Sequence, residues 1–178
     1  MKRLMVHLAV VAAVAALIPT ALARESGLPD ACDGSAITDH APTDVNDYLS
    51  GTEGSDIAAL GKGDDQYFAG EGNDLLCGNQ DADVLVGEFG ADVLFGGPGA
   101  DTLLGSFGAD NVIGQSGDDE LRVGFDGIPD VISDGRGRDV ISGGREDLWL
   151  RCEDGVVDDH DAFEGTTLLD PDCFDDDR

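Results

Sequence analysis

Apolar, acidic and glycine positions recur on a period of nine residues from Gly51 to Ser142. Cut at that period, the chain reads GTEGSDIAA, LGKGDDQYF, AGEGNDLLC, GNQDADVLV, GEFGADVLF, GGPGADTLL, GSFGADNVI and GQSGDDELR. An eleven-residue unit, VGFDGIPDVIS, and a last nonamer, DGRGRDVIS, complete ten units. The eighth position, or its equivalent in the longer unit, is apolar throughout: Ala58, Tyr67, Leu76, Leu85, Leu94, Leu103, Val112, Leu121, Ile132 and Ile141. Such a unit predicts a six-residue glycine-rich turn leading into a three-residue strand. The middle side chain of that strand points one way and its flanks point the other. One apolar residue per unit makes no core alone. Stacked in a coil, ten make a narrow continuous one.

The sixth position is aspartate in every unit: Asp56, Asp65, Asp74, Asp83, Asp92, Asp101, Asp110, Asp119, Asp130 and Asp139. Acidic residues number 38 against 10 basic ones, a formal net charge of −28. That balance excludes nucleic acid and anionic lipid as partners, because both demand a basic footprint. High charge with 6 % aromatics also fits disorder, but the glycines are spaced and not scattered. Calcium suits the spaced carboxylates, since it takes six to eight hard oxygen ligands and accepts carboxylate and carbonyl together. Aspartates stacked at about 4.8 Å would repel one another by roughly 3 kcal/mol per pair at an effective dielectric near 20. A cation between them removes that penalty.

The ends of the chain read differently. Lys2 and Arg3, the apolar run Leu4 to Ile18 and the small-x-small site Ala21-Leu22-Ala23 predict a signal peptide over residues 1–23. A secreted, extracellular protein exported by the bacterial Sec-type route is therefore expected, with no transmembrane anchor. Cys32, Cys77, Cys152 and Cys173 make an even count for an oxidising compartment, which predicts two disulfides. There is no C-x-x-C, and His7, His40 and His160 are scattered, so a zinc site is not expected. The acidic runs Asp158–Asp161 and Asp175–Asp177 lack the spacing and central glycine of an EF-hand loop and read as solvated charge.

The nonamers resemble the RTX (repeats-in-toxin) calcium-binding family, whose pattern is G-G-x-G-x-D-x-U-x. The resemblance implies an all-β fold, a right-handed parallel β-roll (β-solenoid) of about ten nonapeptide repeats in which two units make one turn. It also implies calcium held by the ten aspartates and by loop carbonyls near Gly54, Gly63, Gly72, Gly90, Gly99, Gly108, Gly117 and Gly137. Asp56, Asp74, Asp92, Asp110 and Asp130 would form one column, and Asp65, Asp83, Asp101, Asp119 and Asp139 the other. Up to about eight calcium ions follow from that stacking. The chain departs from the pattern at Asp81, which replaces a fourth-position glycine, and at Asn79, Glu88, Ser106 and Gln115, which replace second-position glycines. The eleven-residue unit Val123 to Ser133, with Pro129, is a further departure.

A two-unit coil sets the outward faces. Odd units present Ile57, Ala59, Leu75, Cys77, Val93, Phe95 and Ile113, an apolar surface that calls for a cover. Even units present Gln66, Phe68, Val84, Val86, Thr102, Leu104, Glu120 and Arg122. Residues 24–50 are expected to cover the apolar face, tied by Cys32–Cys77, which leaves Cys152–Cys173. The roll is expected over 51–142, and residues 143–178 are expected to cap its end, because a solenoid end exposes its core. Phe89, Phe107 and Phe125 recur eighteen residues apart and predict an aromatic strip. It would either stiffen the loops or bind a partner such as a glycan.

No H-E-x-x-H helix and no G-x-S-x-G elbow occurs, so no enzyme is expected. The reading is a secreted calcium-binding β-roll that folds or stiffens outside the cell. The alternative is an extracellular adhesion or cell-envelope interaction module in which calcium is structural. An ice-binding solenoid would show a flat threonine ladder, and none is present.

Overall fold

The computed structural model describes residues 43–144, 146–151 and 166–169. Its strands are β1 (Tyr48–Ser50), β2 (Ile57–Lys62), β3 (Gln66–Glu71), β4 (Leu75–Gln80), β5 (Val84–Phe89) and β6 (Val93–Pro98). They continue as β7 (Thr102–Phe107), β8 (Asn111–Ser116), β9 (Glu120–Arg122), β10 (Val131–Arg136), β11 (Val140–Ser142), β12 (Leu148–Arg151) and β13 (Thr166–Leu169). Up to β12, odd and even strands separate into two sheets, and β13 joins the even one beside β12: the orders are β1-β3-β5-β7-β9-β11 and β13-β12-β10-β8-β6-β4-β2. Every pairing is parallel, and Gln66 pairs Val84, which pairs Thr102, eighteen residues per step. At the eleven-residue unit the step becomes twenty, as Asn111 pairs Val131 and Glu120 pairs Val140. The two extra residues are absorbed in the turn after β9, and the ladder resumes in phase.

The fold is thus an all-strand parallel β-roll, two units to a turn. The eighth-position residues line its axis. Leu76, Leu85, Leu94, Leu103, Val112, Leu121, Ile132 and Ile141 have no exposed surface, and Ala58 and Tyr67 are buried with them. Each such aliphatic side chain stabilises by about 1.5–3 kcal/mol. Where Ala58 is small, Leu60 and Ala69 from first positions fill the same core.

The outer faces also follow the period. Ala59, Cys77 and Phe95 form a second buried cluster on the outside of the β2–β8 sheet, packed by Leu75, Val93 and Ile113. No cysteine among the described residues is free. Of residues 24–50, expected to cover this face, residues 24–42 with Cys32 lie outside the described residues, as do Cys152, Cys173 and the signal sequence. Tyr48–Ser50 instead extends the opposite sheet as β1, so the roll begins before Gly51. On the other sheet Phe68, Val86 and Leu104 are half-buried, and Arg122 pairs with Glu120 at the surface. No helix among the described residues is long and apolar enough to cross a membrane.

Pairing runs beyond the periodic window at both ends. β1 precedes Gly51 and pairs with β3, while β12 follows Ser142 and pairs with β10. Leu49 packs against the core as an eighth-position residue.

Candidate calcium site: two buried aspartate columns

Each sixth-position aspartate stands just before a strand, and its carboxylate turns along the coil. Except at Asp56, which begins its column, the Oδ1 accepts the backbone N–H of the aspartate one turn earlier. In one column Asp65, Asp83, Asp101, Asp119 and Asp139 accept from Asp47, Asp65, Asp83, Asp101 and Asp119 at 2.7–2.9 Å. In the other, Asp74, Asp92, Asp110, Asp130 and Asp147 accept from Asp56, Asp74, Asp92, Asp110 and Asp130 at 2.8–3.1 Å. All ten aspartates named from the period therefore lie in these columns, and all are buried. Asp47 and Asp147 add a rung at each end that the nonamer pattern omits.

The second oxygen has a different fate. Oδ2 of Asp65, Asp74, Asp83, Asp92, Asp101, Asp110, Asp119 and Asp130 is buried without a hydrogen-bond partner. At the column ends Oδ2 is engaged: that of Asp56 accepts the Thr52 N–H at 2.7 Å, and that of Asp147 accepts the Gly144 N–H. Burial leads the effect on the inner carboxyls. It pushes Asp83 and Asp130 up to about 8, Asp92 and Asp119 to about 7, and Asp101 and Asp110 to about 6. Asp65, Asp74 and Asp147 are raised for the same first reason. The backbone N–H bond opposes the shift throughout, and neighbouring carboxylates add to it, as Asp101 and Asp65 do at Asp83.

Two glycine positions make room beside these oxygens. A Cβ on Gly78 would stand 2.3 Å from Asp83 Oδ2 and 2.7 Å from the Gly96 carbonyl oxygen. A Cβ on Gly96 would stand 2.4 Å from Asp101 Oδ2 and 2.9 Å from the Gly114 carbonyl oxygen. These spacings from carboxylate and carbonyl oxygen are close to the 2.3–2.6 Å typical of calcium ligands. In the fourth position the loops stack still more tightly. Gly90, at φ 138°, leaves only 1.4 Å between a Cβ and the Gly72 oxygen. Asn79, Asp81, Glu88, Ser106 and Gln115 hold the left-handed backbone at φ 72–82° although they are not glycine. The departures from the pattern thus keep a positive φ, although Asp81 at 75° differs from the 114–151° of Gly63, Gly72, Gly90, Gly108, Gly117 and Gly137 at the same position.

The donor set fits a hard cation. It offers unpartnered carboxylate oxygens, adjacent carbonyls and buried negative charge, with no buried basic side chain among the described residues. The ion pairs among the described residues, Lys62–Asp44 and Arg122–Glu120, are at the surface. No three His, Cys, Asp or Glu side chains converge on one point among the described residues. A cation here must complete its shell from backbone oxygen.

Other predicted residues are placed as follows. Phe89 and Phe107 stack, with ring centroids 5.2 Å apart and planes 8° from parallel. Phe125 lies in the turn of the eleven-residue unit, beyond the end of the β7–β9 ladder, and is 75 % exposed. The structure also contains a fifth-position ladder that the sequence pattern did not single out. Side-chain oxygens of Asn46, Ser55, Asp64, Asn73 and Asp118 accept the N–H of the residue one turn later, at 2.9–3.2 Å. Polar residues at that phase were the available signal. Asp134, fully buried, stands at a first position, where Gly78, Gly87, Gly96, Gly105 and Gly114 stand in other units.

A calcium-binding parallel β-roll is the class that this coil and its acidic columns define. The profile described as the RTX calcium-binding nonapeptide repeat matches the chain in four copies, at residues 43–76, 78–112, 95–127 and 129–147. The chain belongs to that family. Searches of curated proteins and of solved structures gave no match.

Proposed function

We propose that the protein is a secreted calcium-binding β-roll whose coil folds or stiffens when calcium enters its two columns outside the cell. The observation that supports this reading is the set of eight inner aspartates, each with one oxygen spent on the backbone and one buried without a partner. Those second oxygens, with loop carbonyls such as those of Gly96 and Gly114, would hold the ions. Bound calcium supplies the positive charge that the stacked carboxylates lack. The chain's own residues do the rest: the N–H to Oδ1 ladder orients each carboxylate, and the first-position glycines keep the space beside it open. Up to eight ions are accommodated on this count, and no catalytic role is assigned.

A site with a dissociation constant near 0.1 mM would contribute about 1.4 kcal/mol at 1 mM calcium. Several such sites together rival the stability of a whole domain. Export by a signal sequence and closure of Cys32–Cys77 and Cys152–Cys173 belong to the same proposal. Equilibrium dialysis against calcium tests it. Binding of several ions per chain, up to eight, is expected; one ion or none would contradict it.

A further inference from the structure

The ends of β3, β5 and β7 bring Glu71, Phe89 and Phe107 into direct register. Phe107 covers one face of Phe89, and both rings remain more than half exposed, at 56 % and 54 %. Phe89 also lines an open groove of about 600 Å³, whose other walls include Glu53, Ser55, Glu71 and Asn73. Glu53 and Glu71 occupy third positions, outside the aspartate columns, and take part in no ion pair among the described residues. Calcium in the columns leaves their charge in place.

A phenyl face is electrostatically negative, and two exposed carboxylates beside it add to the same field. The groove is therefore built for positive charge on a flat or compact apolar-backed group. We propose that it binds a basic side chain, arginine above all, presented by an extended segment of a protein partner. The guanidinium plane lies on Phe89 and is bracketed by Glu53 and Glu71. The volume accommodates such a side chain with its flanking backbone. The excess of 38 acidic over 10 basic residues is larger than the charge of eight calcium ions, so the calcium-loaded chain still steers basic partners toward it. A neutral sugar ring would use the phenyl face but would leave both carboxylates without a counter-charge.

The test is an aromatic-region NMR titration of the full chain in 5 mM calcium. The probes are acetyl-Gly-Arg-Gly-amide and, separately, chitohexaose. The peptide is expected to shift the Phe89 ring signals, and the sugar to leave them unchanged. Phe89→Leu should weaken peptide binding about two- to fivefold, and Glu71→Gln about threefold. Asp64→Asn, an equal charge loss at an exposed position on the opposite loop edge, should change it by less than about 1.5-fold. Circular dichroism of each variant in calcium should match the parent, because all three side chains are exposed and Asp64→Asn keeps an acceptor for the Ala82 N–H. Equal weakening by Asp64→Asn and Glu71→Gln would reduce the effect to diffuse charge and overturn the proposal. So would Phe89 shifts with the sugar, or none with millimolar peptide.

Discussion

The backbone N–H of Asp83 donates to Oδ1 of Asp101 at 2.8 Å, while Oδ2 of Asp101 is buried without a hydrogen-bond partner. One carboxylate thus serves two purposes. Its first oxygen closes the turn and belongs to the fold. Its second is desolvated and unsatisfied, which a folded chain tolerates only at a cost of about 1–3 kcal/mol or more for a charged group. The same division recurs along both columns.

Substitution at Asp101 should separate the two oxygens. Asp101→Asn keeps an acceptor for the Asp83 N–H and removes the buried charge. The metal-free protein is then expected to be as stable as the parent at pH 8 or more so, with a smaller gain on adding calcium. Asp101→Ala loses the acceptor as well and should lower metal-free stability by about 1–3 kcal/mol. Thermal melts with and without calcium give both quantities.

The raised carboxyls set a pH dependence of definite sign. The folded carboxyls at about 6 to 8 hold protons that the unfolded chain releases near 3.9. Between those values the native state binds more protons, so the stability of the metal-free roll falls as pH rises from about 4 to 8. With saturating calcium the trend should reverse, because the ion requires the ionised carboxylates. Melting temperatures across this range, on protein stripped of metal, check the sign.

Left-handed backbone at a residue with a Cβ is a local penalty of roughly 1–2 kcal/mol. Ser106 sits at φ 82° in register with Glu88 at φ 72°. Ser106→Gly is expected to stabilise the roll by about 0.5–1 kcal/mol after the added flexibility of the unfolded chain is counted. Gly90→Ala should do the opposite, since its Cβ would meet the Gly72 carbonyl oxygen at 1.4 Å. Denaturant midpoints in calcium measure both.

Cys77 is fully buried on the outer face beside Ala59 and Phe95. Non-reducing peptide mapping should recover Cys32 joined to Cys77. Recovery of Cys32 joined to Cys173 would remove the covering segment from the account.

The nine-residue period carries most of the fold and both aspartate columns in plain view along the sequence. A fixed aspartate phase and a fixed apolar phase determine which side chains stack and which strands pair, because each unit has one geometry. The edges are less legible. Asp47 follows Thr43-Asp44-Val45-Asn46, a turn without glycine, and Asp147 follows Asp139 by eight residues and not nine. Glycine and strict spacing as criteria stop short of both, although the Asp-x-Leu of Asp47–Leu49 and the Asp-x-Trp of Asp147–Trp149 keep the phase. The glycine substitutions are legible as departures, but their backbone is not. Neighbouring turns impose the left-handed conformation on Glu88 and Ser106 whatever their own preference. Phe125 lies beyond the last paired residue of β9 and is the most exposed of the three rings, although Gly124 and Asp126 beside it keep the eighteen-residue step to Ser106 and Gly108.

Far-ultraviolet circular dichroism of the metal-free protein at pH 7.5, titrated with calcium to 10 mM, tests the central claim most directly. A rise in β signal is expected that saturates with calcium and reverses on adding chelator. A spectrum unchanged from chelator to 10 mM calcium, with no shift in melting temperature, would contradict it.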